Sequence, residues 1–67
     1  MQSEYSILSE GFQITIQGLT LDTGSQFHIY DGNSDYGLYT VLSVSGSTYT
    51  TSTRMPALSG IYIIELT

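Results

Sequence analysis

The 67-residue chain contains no cysteine, no tryptophan and no lysine, and only one proline and one arginine. Without cysteine there is no disulfide, and a single histidine makes no Cys/His cluster for structural zinc, so both usual staples of a small domain are missing. A chain this short buries roughly 60% of the surface its unfolded form exposes, which leaves a marginal core. The reading is one domain over residues 1–67, an accessory or binding module rather than a self-contained enzyme. Six acidic residues face the lone cation Arg54, for a net charge of −5. Neutralising phosphates takes clustered Lys and Arg, so nucleic acid is excluded as a partner, and anionic membrane surfaces fall with it.

Long hydrophobic runs are absent too. The longest, residues 61–64, is far too short to span a bilayer. The opening Met1-Gln2-Ser3-Glu4-Tyr5 has neither a basic nor an apolar region, so no signal peptide is read there. Met1 is taken as a start within a longer natural protein that carries an upstream domain. Nineteen Ser and Thr and six Tyr make up much of the remainder. That composition suits a secreted or cell-surface β-domain of a bacterial envelope.

The pattern that is present has period two, not 3.6. Phe12, Ile14 and Ile16 alternate with polar residues between Gly11 and Gly18. Phe27 and Ile29 alternate with His28 and Tyr30, and residues 38–44 set Leu38, Thr40, Leu42 and Val44 against Tyr39, Val41 and Ser43. Ser45-Gly46-Ser47 predicts a tight hairpin into a strand over residues 48–53. Pro56, which has no N–H to donate, predicts the end of that ladder. Ser59-Gly60 then predicts a turn into the hydrophobic strand of residues 61–66, and residues 5–8 add a short first strand. Five to six short strands without a helix predict an all-β fold, a small antiparallel Ig-like β-sandwich.

Several motifs suggest chemistry. Leu21-Asp22-Thr23-Gly24-Ser25 spells the active-site loop of aspartic proteases, whose reaction needs two carboxylates sharing a proton and here would need a homodimer. The same letters are good turn residues, with Asp opening the turn. Asp31-Gly32-Asn33-Ser34-Asp35 spaces oxygen side chains like a calcium loop, but Tyr36 and Leu42 stand where that loop wants Gly and Glu. His28 is read as a surface strand residue. Tyr30, Tyr36, Tyr39, Tyr49 and Tyr62 could form an aromatic row for a sugar, or serve in packing. No metal or cofactor is expected.

The C-terminal 40 or so residues carry a resemblance. Phe27-His28-Ile29-Tyr30-Asp31, and Met55 through Leu66 with its Leu58-Ser59-Gly60-Ile61-Tyr62-Ile63-Ile64 core, resemble the type A C-terminal sorting domain of the type IX secretion system of Bacteroidetes-type bacteria. The opening Asn-Pro element of that family is missing, Gly37 arrives two positions late, and the last strand lacks a basic residue. The resemblance implies a non-catalytic Ig-like module. Its last strand would be read by sorting machinery or a cell-surface component through Gly60, Ile61, Tyr62, Ile63, Ile64 and Leu66, with main-chain pairing at a sheet edge. An adhesion or carbohydrate-binding β-domain is the alternative, and a homodimeric protease using Asp22 the remote one.

Overall fold

Four strands account for most of the chain in the computed structural model, which describes residues 2–67: β1 (Gln2–Ile16), β2 (Gln26–Tyr30), β3 (Asp35–Ser45) and β4 (Thr48–Leu66). All pairings are antiparallel within one sheet of order β1-β4-β2-β3, and β3 also returns to pair with β4. The described residues include no helix. The all-β expectation therefore holds, and the structure shows a single four-stranded sheet in place of a sandwich of five to six strands.

The difference lies in two joints. The segments expected at residues 5–8 and 12–16 are one strand, β1, and those at 48–53 and 61–66 are one strand, β4. A straight strand of β4's length would reach roughly 60 Å at about 3.3 Å per residue. The longest dimension of the molecule is 28 Å, so both long strands must bend. They bend together, because Ser9 pairs with Leu58, Gly11 with Met55 and Gln13 with Thr50, which leaves extra residues on β4 at each step. Gly11 takes φ +61° at this irregularity, a conformation glycine adopts without a Cβ penalty.

Pro56 does not end the ladder. It lies in the bulged stretch, where its missing N–H costs no strand pair, and the Ser9 hydroxyl donates to its carbonyl oxygen at 2.6 Å. The same Ser9 Oγ accepts the Leu58 N–H at 3.0 Å. One buried side chain thus replaces the ladder bonds that the bend removes. Nor do Ser59 and Gly60 form a turn, since they pair with Leu8 and Ile7 inside β4.

The bend also switches which positions face inward. Ile7 and Ser9 are buried before it, Ile14 and Ile16 after it. Phe12, expected to share a face with Ile14 and Ile16, falls at the joint and stays 47% exposed. Phe27 and Ile29 from β2, Tyr39 and Val41 from β3, and Tyr49, Met55, Leu58 and Ile64 from β4 complete the core with Leu21. Leu21 belongs to the β1–β2 connection, which Tyr49 pins down. The Tyr49 hydroxyl donates to the Leu19 carbonyl at 2.7 Å and accepts the Leu21 N–H at 3.1 Å.

Candidate functional site

The C-terminal part of β4 is central, not marginal. Residues 58–65 pair with residues 2–9 of β1, and residues 63–66 pair on the other side with β2. Ile63, Ile64 and Glu65 therefore have strand partners on both sides, while Gly60, Ile61 and Tyr62 are paired with β1 alone. Of the side chains in the expected recognition strand, Ile64 is core, Tyr62 and Ile63 are half-buried, and Ile61 and Leu66 are exposed. Tyr62 packs edge-on against Tyr36 with ring centroids 5.6 Å apart. Within residues 60–65 of this strand, only residues 60–62 have a side without a strand partner among the described residues, and of the large apolar side chains in residues 60–66 only Ile61 and Leu66 are exposed.

Beside this strand lies a cross-strand polar cluster. His28 stands opposite Glu65 on one side and Leu38 on the other. Its Nε2 is 2.6 Å from Asp35 Oδ1, and the Tyr30 hydroxyl donates to Glu65 Oε1 at 2.7 Å. The His28 and Tyr30 rings lie 5.4 Å apart. The cluster ties β2 to both its neighbours. Sequence reasoning placed His28 on the surface but not its partners, because they follow from strand register.

The Asp31–Asp35 segment uses its carboxylates internally. Asp31 Oδ1 accepts the N–H groups of Asn33 and Ser34 at 2.8 and 2.7 Å, and its Oδ2 accepts the Tyr36 hydroxyl. The backbone bonds foremost, and then the Tyr36 hydroxyl, hold the Asp31 carboxyl below its ordinary pKa, and the bond to Asp31 together with burial pushes the Tyr36 phenol up. Asp35 is lowered likewise, first by the Gly37 N–H and then by His28. Tyr39 is raised mainly by burial, and its hydroxyl donates to the Tyr36 carbonyl. No group of three or more His, Cys, Asp or Glu among the described residues is arranged to hold a metal ion. The geometry is that of a turn-rich connection, not of a cation cage.

The protease-like letters form a four-residue turn. The Ser25 N–H donates to the Asp22 carbonyl at 3.0 Å, and Ser25 Oγ accepts the Asp22 N–H at 3.3 Å. The turn is bound to β3 through Gly24 N–H to Val41 O and Val41 N–H to Ser25 O. Asp22 is exposed. The tyrosine row does not assemble either, since Tyr39 and Tyr49 are core residues and Tyr36 and Tyr62 pack on each other. Among the described residues no helix is long and apolar enough to cross a membrane. No protein-family model, curated protein or solved structure matches the chain.

Proposed function

We propose that the chain is a non-catalytic recognition module for export or cell-surface attachment, read by its partner through the C-terminal part of β4. The observation that carries this reading is the half-paired state of Gly60, Ile61 and Tyr62. Their second side has no strand partner among the described residues, and Ile61 is 61% exposed. An extended segment of the machinery adds there as a strand and takes the Ile61 side chain in a pocket. The resemblance of residues 55–66 to type IX sorting strands supports the same end of the molecule.

The test is an export assay in a bacterium that possesses the type IX system, with this chain fused to the C-terminus of a reporter bearing a signal peptide. The parent fusion is expected in the medium or on the cell surface. Ile61→Glu, at an exposed position that leaves the core intact, is expected to stay in the periplasm while keeping the parent's thermal midpoint. Periplasmic retention of a folded parent fusion would end the reading.

A further inference from the structure

The bend in β1 brings its two halves side by side, and the space between them is a groove. One part, of about 320 Å³, lies between Ser6 and Leu8 of the first half, Thr15 near the end of the second and Gln17 just beyond it, and Ser59 and Gly60 of β4. A second part, of about 190 Å³, continues past Leu8 and Thr15 to Glu10, Gln13 and Thr48. The two share Leu8 and Thr15 and so adjoin along the bend. The Gln17 N–H donates to the Ser6 carbonyl at 3.0 Å and closes the groove's neck.

The chemistry of this lining is uniform. The polar side chains are hydroxyls and primary amides with one carboxylate, Glu10, and no cation. Thr15 and Thr48 share a hydrogen bond at 3.0 Å. The side chains of Ser6, Glu10, Gln13, Gln17 and Ser59 line the groove and make none to another described residue, so their donors and acceptors are open to a ligand. Leu8, 61% exposed, supplies an apolar flank.

We propose that this groove binds a neutral saccharide chain. Amides and hydroxyls match sugar hydroxyls as both donors and acceptors, and a leucine flank suits the C–H face of a sugar ring. An anionic ligand meets a net charge of −5 with no cation in the lining. A cationic ligand finds a single carboxylate. An added peptide strand finds the Ser6 carbonyl already occupied by Gln17. The larger part alone reaches the size of small-ligand sites, roughly 300–1,000 Å³. The inference goes beyond the recognition reading, and it relocates sugar binding from the tyrosines to the β1 bend.

The test is ¹H–¹⁵N NMR titration of the chain with cellohexaose, laminarihexaose and chitohexaose at millimolar concentration, alongside an uncharged Ser/Thr/Val peptide. At least one saccharide is expected to give saturable shifts centred on residues 6–10, 13–17 and 59. The double variant Gln13→Ala/Gln17→Ala is expected to bind roughly tenfold more weakly, two hydrogen bonds being lost, with an unchanged thermal midpoint. Gly60 borders the groove, but both substitutions lie outside residues 60–66 and on β1 or just after it, so the double variant is expected to be exported like the parent and the two readings fail separately. No saturable shift with any saccharide, shifts centred elsewhere, undiminished binding by the double variant, or binding of the peptide alone would each overturn the proposal.

Discussion

Asp31 shows how much one half-buried side chain organises when it is bound to backbone. Its two oxygens accept three hydrogen bonds and turn the chain from β2 into β3. Because those bonds require the carboxylate, its folded pKa lies below the ordinary aspartate value of 3.8, and that of Asp35 does too. The sign follows by linkage. A depressed carboxyl contributes stability that is complete above 3.8 and is lost as pH falls from there through the lowered folded value. Thermal midpoints of the parent should therefore drop as the pH goes below that of ordinary aspartate. Asp31→Asn, which keeps an acceptor oxygen but cannot titrate, should drop less over the same interval. Parallel curves for the two proteins would show that Asp31 has no such role.

At the scale of elements, the joint between the two halves of the β1–β4 ribbon decides the architecture. Ser9 is 3% exposed and bridges the carbonyl of Pro56, which lies in the bulge, and the N–H of Leu58 at its edge. Ser9→Ala leaves that N–H and carbonyl unsatisfied, a loss of about 1–3 kcal/mol. Urea unfolding measures it, and a loss well under 1 kcal/mol would mean that water takes over the bridge. This joint is also where sequence reading stops. Strands were legible wherever period two ran unbroken, as with Phe27 and Ile29, both fully buried. Gly11, Pro56 and Ser59-Gly60 read as breaks because each is a breaker by local chemistry, and only the remote Ser9 side chain makes the break at Pro56 tolerable inside a strand. The inward position of Phe12 was misread for the same cause, since a bulge shifts the face without altering the letters. Of the candidate site, the strand at residues 61–66 was legible as the most hydrophobic segment of the chain. Its half-paired state, the His28–Asp35 pair and the groove all arise from register and bending, which no local pattern encodes.

At the scale of the whole molecule, a domain of this size has a stability of roughly 3–10 kcal/mol, and its most extensive pairing joins opposite ends of the chain. Gln2 pairs with Glu65, and the ladder runs from there to Thr15 with Thr48. Even its innermost pair, Thr15 with Thr48, closes a loop of about half the chain, so loop entropy is lost before the pairing returns it. Stopped-flow refolding is expected in the millisecond-to-second range typical of non-local β-folds. Microsecond refolding would mean that local hairpins, not the β1–β4 ribbon, carry the transition state. The same pairing has a mechanical side. Both ends of the ribbon leave the sheet together, at the Gln2–Glu65 pair. A pull between them loads the bond from Thr67 to Gln26 and the Leu66–Phe27 pair, then Gln2 with Glu65 and Ser3 with Ile64, and so opens the ladder pair by pair instead of shearing all its hydrogen bonds at once. An end-to-end pull on this molecule therefore peels the last residues of β4 from β1 and β2 in sequence, one pair after another.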